Sequence, residues 1–131
     1  MNKSLKIYIA GPYSAETAEQ RLQNVNVAID AALQVFFKGH FPYVPHLTHY
    51  VDERANATNI TMRWEDYITW DMPWVAACEA LLYLRSSRGA DLELKAAQAL
   101  GKQIFYSVDE IPTVVRHDSS ASHQETSSLR Q

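Results

Sequence analysis

The 131-residue sequence predicts a doubly wound α/β domain: a parallel sheet of four to five strands with helices on both faces. Three observations carry that prediction. Short apolar runs alternate with stretches of helical periodicity, the pattern of successive βαβ units. Glycine or proline punctuates most of the junctions. The alternation is complete within Leu5–Pro112, a length that suits one domain.

The elements follow in order. Leu5–Ala10 (LKIYIA) is apolar and β-branched and ends at the turn signal Gly11-Pro12, so it reads as a strand entering a tight loop. Ala15–Lys38 carries Leu22, Val25, Ile29, Leu33 and Phe36 at spacings of three and four, which predicts a helix burying that face. Gly39 is its expected stop. Phe41–Pro45 is a short second strand, expected near a sheet edge because proline cannot donate to a ladder. His46–Asn59 is polar and reads as irregular. Thr61–Ala77 returns to helical periodicity, with a kink or restart expected at Pro73. Glu79–Leu84 is a third strand, Ala90–Leu100 a helix ending at Gly101, and Gln103–Val108 a fourth strand. Residues 113–131 are expected to be a tail outside the domain 1–112. Segment 119–131 has five serines and one large aliphatic residue, too little apolar surface to offset the entropy of ordering.

Composition removes several function classes. A net charge of −3 gives no basic excess for a nucleic-acid polymer. Cys78 is the only cysteine, so no intrachain disulfide and no cysteine-based metal site can form. Within Val75–Ala80 it reads as a small buried hydrophobe; a reactive thiol would need electropositive neighbours. No apolar run approaches the roughly 20 residues of a membrane helix, and the N-terminus is a short charged lead into a strand rather than a signal peptide. A cytoplasmic protein that binds no membrane is expected.

In open parallel sheets, ligands bind outside the carboxyl ends of the strands. Three loops leave those ends here: Gly11–Glu16, Pro45–His49 and Arg85–Asp91. The first lacks both GxGxxG and GxxxxGKS/T, so neither a dinucleotide nor a Walker-type phosphate site is expected, and no cofactor is assigned. It places Tyr13 and Ser14 at the mouth. Tyr13 is either a surface aromatic or a phenol bonded to a catalytic carboxylate. In the third loop Ser86–Gly89 lead into a helix whose first turn is expected to include Asp91 and Glu93. That arrangement is an anion site, or it is ordinary N-capping with acids complementing the dipole. Asp71 lies between Trp70 and Trp74, where aromatic walls would desolvate a carboxylate, or where it is simply exposed between interface tryptophans. His46 and His49 have metal-ligand spacing but no third ligand, so no metal is assigned.

Three segments together resemble the nucleoside 2-deoxyribosyltransferase superfamily, which includes the 2′-deoxynucleoside 5′-phosphate N-hydrolases. They are KIYIAGPYS at 6–14, YITWDMPWVAACEALLYL at 67–84 and RGADLELKAAQALGKQIFY at 88–106. The last is the most specific, with Glu93-Leu94 on the helix, then Ala99 and Gly101-Lys102 before the closing strand. The resemblance covers about Leu5 to Val108 and implies a flavodoxin- or Rossmann-like sheet. It also implies cleavage of an N-glycosidic bond of a nucleoside or nucleotide. Glu93 matches the nucleophile, Asp71 the acid that serves the nucleobase, and Tyr13 the phenol that holds the nucleophile. Around them Gly11, Ser14, Ser87, Arg88, Gly89, His46 and Trp74 are the expected substrate contacts. Ser14 and Ser87 are near-matches for serines that contact a 5′-phosphate; the transferases typically have an acid at the position of Ser87. The resemblance implies a homodimer or larger assembly with shared sites. It gives the stretch 46–67 no counterpart.

Overall fold

The computed structural model describes residues 3–116. Four strands form one all-parallel sheet: β1 (Lys6–Ala10), β2 (Phe41–Tyr43), β3 (Ala80–Tyr83) and β4 (Gln103–Phe105), in the order β2-β1-β3-β4. The helices are α1 (Ala18–Phe37), α2 (Thr48–Ala57), α3 (Trp64–Ala77) and α4 (Arg88–Ala99). The predicted fold class is the observed one, and Phe41–Tyr43 is the edge strand that its prolines required.

Period-two alternation along β1 divides the core into two layers. Ile7 and Ile9 point to one face and pack with Ala28, Ala31, Ala32 and Val35 of α1. Tyr8 and Ala10 point to the other, with Val75 of α3 and Ala90 and Ala97 of α4. Helices therefore cover both faces.

Three local expectations change. The face that α1 buries is Val25, Ala28, Ala31, Ala32 and Val35, while Leu22 and Leu33 are exposed. Small side chains let the helix backbone approach the sheet, and the periodic leucines fall beside that contact. The polar stretch read as irregular contains α2. This helix buries only His49 and Ala55 and is held by polar bonds, including Tyr67 Oη donating to Asp52 Oδ1 at 2.9 Å. Pro73 lies inside a helix that continues through it to Ala77.

The packed chain also runs past Pro112. Lys38 and His40 bind the returning segment. The Lys38 ammonium donates to the carbonyls of Val108 and Ile111, and the Val114 N–H donates to the Lys38 carbonyl at 2.7 Å. Fully buried His40 accepts the Leu5 N–H at Nδ1, so its proton sits on Nε2 and is donated to the Pro112 carbonyl at 2.7 Å. His40 is thus a structural tie. The expected tail beyond residue 116 lies outside the described residues.

Candidate active site

The chain runs from β1 out to β2, then crosses back to β3 on the other side of β1. The strand order therefore reverses between β1 and β3, and a crevice opens at their carboxyl ends. A cavity of about 570 Å³ lies there, a size that suits a small-molecule ligand. The loop after β1 contributes Gly11, Tyr13 and Ser14, and the turn after β2 contributes His46. Helix α2 adds Thr48, Asp52 and Asn56; α3 adds Trp64, Tyr67, Ile68 and Asp71. The start of α4 closes the ring with Arg88, Gly89 and Ala90, preceded by Ser87 and followed by Glu93. Of the expected catalytic residues and substrate contacts, only Trp74 does not line this cavity. It stacks on Tyr43 instead, with ring centroids 5.0 Å apart.

Glu93 is 5% exposed and Asp71 7%, although both can carry charge. Helix α4 begins at Arg88, so Glu93 falls beyond the first turn, where Asp91 sits. N-terminal dipole complementarity therefore does not account for Glu93. Its carboxylate is turned onto the sheet and accepts the Tyr8 phenol at 2.5 Å. Burial pushes Glu93 up to about 8; the Tyr8 hydrogen bond opposes that rise and the nearby Asp71 charge adds to it. Burial alone lifts Asp71 to about 7. One Asp71 oxygen, Oδ1, is buried with no hydrogen-bond partner among the described residues. Two desolvated carboxyls in one cavity are a frequent mark of acid–base or nucleophilic chemistry.

The phenol on Glu93 is Tyr8, not Tyr13, which corrects the sequence expectation. Tyr8 points from the middle of β1 into the layer that contains α4, where Glu93 reaches it. Tyr13 lies beyond the strand end, and its hydroxyl is 2.9 Å from His49 Nδ1 on α2. Tyr8 was legible in principle. A hydroxyl at a central position of a buried strand requires a partner, and the LKIYIA alternation turns it away from the α1 layer.

The other expected contacts divide by what already holds them. Ser87 caps α4, its hydroxyl accepting the Ala90 N–H at 3.1 Å, so the capping expectation holds while the residue also faces the cavity. The Arg88 guanidinium stacks 3.8 Å above the Trp64 ring at the rim. Asp91 is occupied by Tyr83 and Ser86. Buried His46 is bonded through Nε2 to the Gly11 carbonyl at 3.0 Å, which fixes its proton on that nitrogen. Burial holds His46 below the ordinary histidine value, so a neutral ring presents an acceptor Nδ1 with no described partner. Among the described residues no group of three or more His, Cys, Asp or Glu is placed to hold a metal ion. No described helix is long and apolar enough to cross a membrane.

A family model described as "Domain of unknown function (DUF4406)" matches residues 5–106, and the chain belongs to that family. The match spans all four strands and every cavity residue named above. No curated protein matches the chain.

Proposed function

We propose that this DUF4406 member cleaves the N-glycosidic bond of a (deoxy)nucleoside or nucleotide through a glycosyl ester on Glu93. The sugar then passes to a second base, in the manner of nucleoside 2-deoxyribosyltransferases, or to water. The observation that carries this reading is the pair Asp71 and Glu93, buried in one cavity, with the Tyr8 phenol donating to Glu93.

The pair supplies what the reaction needs. A carboxylate must attack the anomeric carbon while an acid protonates the departing base. Forming a covalent ester divides one hard displacement into two easier ones. Tyr8 favours the charged form of Glu93, and its own burial holds the phenol well above its ordinary value, so it remains a donor. Asp71 has no such donor, and burial favours its protonated form. Trp64, Met62 and Ile68 give the cavity an apolar wall suited to a flat ring.

Water as the acceptor, with a 5′-nucleotide as the substrate, is the second reading. It is favoured by Ser87 and Arg88 at the start of α4, where the helix dipole and backbone N–H groups attract an anion. A nucleotide-binding module without turnover is weighed against the cost of burying two carboxyls, which binding alone does not require. The proposal includes a cytoplasmic homodimer or larger assembly. Exposed Leu33, Phe37, Phe41 and Leu47 support the assembly.

Incubation with a panel of nucleosides and 5′-nucleotides, with and without free base, tests the reading by chromatography. Base exchange indicates a transferase, and base release without exchange a hydrolase. Neither event with any substrate would leave only the binding module.

A further inference from the structure

Tyr13 is a cavity phenol that is not engaged with Glu93. Behind it stands a chain of polar groups leading to solvent. The Tyr13 hydroxyl is 2.9 Å from His49 Nδ1, and His49 Nε2 is 3.4 Å from Glu53 Oε1, one turn further along α2. His49 is 6% exposed, whereas the Glu53 side chain is 63% exposed. In the tautomer with its proton on Nε2, beside the Glu53 carboxylate, His49 presents Nδ1 as an acceptor. The Tyr13 O–H then donates to His49, and the lone pairs of the phenol oxygen remain for a donor in the cavity. Asp52, the other acid near Tyr13, is engaged by Tyr67 and does not compete for this hydroxyl.

We propose that Tyr13, His49 and Glu53 form a proton relay that accepts the proton of the incoming nucleophile in the second half of the reaction. The proposal rests on the glycosyl-enzyme reading above. In that step the acceptor H–X, water or a nucleobase N–H, forms a bond from X to the anomeric carbon. The bond from that carbon to the Glu93 oxygen breaks, and its electron pair returns to the carboxylate. The acceptor's proton goes to the Tyr13 oxygen while the Tyr13 proton goes to His49 Nδ1. The imidazolium so formed is paired with the Glu53 carboxylate, and solvent at Glu53 takes the proton away. Tyr13 faces the cavity and would be a catalytic residue; His49 and Glu53 act through it as positioning residues. On this account α2 carries the outer part of the relay.

The test separates the two half-reactions. Wild type, Tyr13→Phe and His49→Phe are mixed with 2′-deoxyadenosine and with its 5′-monophosphate in rapid-quench experiments. Base release and the mass of the quenched protein are followed together. General-base assistance is worth roughly 100-fold or more. Both variants are therefore expected to release the first equivalent of base at the wild-type rate and then turn over about 100-fold more slowly, with glycosyl-enzyme accumulating. The values of kcat and KM fall together and kcat/KM is preserved, because kcat/KM reports only the steps through base release. Glu53→Gln should give a smaller loss of the same kind. A burst slowed as much as steady turnover would overturn the relay and make Tyr13 a substrate-positioning group. Normal turnover in both variants would overturn it too, leaving Asp71 as the base. Failure of the wild type to form any glycosyl-enzyme from substrates it cleaves would refute the underlying reading instead, and the relay with it.

Discussion

Asp71 and Glu93 share a desolvated cavity, so their protons are best described as belonging to the pair. Burial places the two carboxyls near 7 and 8, and the proposed cleavage step needs one of them ionised and the other protonated. Burial weighs more on Glu93, while the Tyr8 hydrogen bond favours its anion. The active form, with the charge on Glu93, is therefore a fraction of the singly protonated pair. The rate should rise as the first proton leaves and fall as the second does. A bell-shaped profile of kcat/KM with its maximum between about pH 7 and 8 is expected. Glu93 holds its proton to higher pH than Asp71, and Tyr8→Phe removes the donor that lowers it, so the alkaline limb should move to higher pH. With one charge-assisted bond lost, kcat/KM should drop about 10- to 100-fold. An unmoved alkaline limb would show that Tyr8 does not control the ionisation of Glu93. The two carboxyls were legible in the sequence as candidates, Glu93 from its motif just after a strand-end loop and Asp71 from its flanking tryptophans and the resemblance. The phenol on Glu93 was missed, although the strand alternation could have found it, because Tyr8 and Tyr13 are both aromatic residues near the same turn. Only the direction of each side chain relative to the sheet tells them apart.

At the scale of elements, the start of α4 combines a stabilising task with a ligand-facing one. Ser87 caps the helix and also lines the cavity. Ser87→Ala should cost about 1 kcal/mol of stability through the lost cap. Ser87→Asp should restore that stability, since aspartate caps equally well, while placing a negative charge where a phosphate would lie. If a 5′-phosphate binds here, the aspartate variant should lose activity on 5′-nucleotides and keep it on nucleosides, with thermal melts and kcat/KM read on the same samples. Equal effects on both substrate classes would assign Ser87 to the helix alone. Elements with apolar periodicity were readable in sequence, and their approximate bounds followed. Helix α2 was not, because its buried residues are one histidine and one alanine. It is secured by side-chain bonds to distant residues, Tyr13 and Tyr67, and those leave no periodic trace. The face of α1 was misjudged for a related reason. Large apolar residues dominate a periodicity count, whereas close packing on the sheet selected alanines.

Across the molecule, the alternation of strands and helices was enough to give the parallel sheet, while the contacts that close it came from residues with no pattern. The segment after β4 returns over the end of α1 and is bound by Lys38 and His40. Gly39 makes that approach possible. Its φ is +102°, and a Cβ there would collide with the Val114 carbonyl. Gly39→Ala should therefore destabilise the fold by about 1–3 kcal/mol and lower the thermal midpoint by several degrees. It should leave the pH optimum of activity unchanged, because the segment lies away from the cavity residues. The proposed function depends on the sheet bringing Glu93 of α4 against Tyr8 of β1, and one measurement addresses that directly. Wild type and Glu93→Gln are each incubated with the substrate panel, base release is timed, and the acid-quenched proteins are digested and mapped by mass. The expected result is base release by the wild type, a pentosyl or pentosyl-phosphate ester on the peptide containing Glu93, and at least a thousandfold slower release by Glu93→Gln. Base release by Glu93→Gln at the wild-type rate, with no ester on Glu93 in the wild type, would contradict the account.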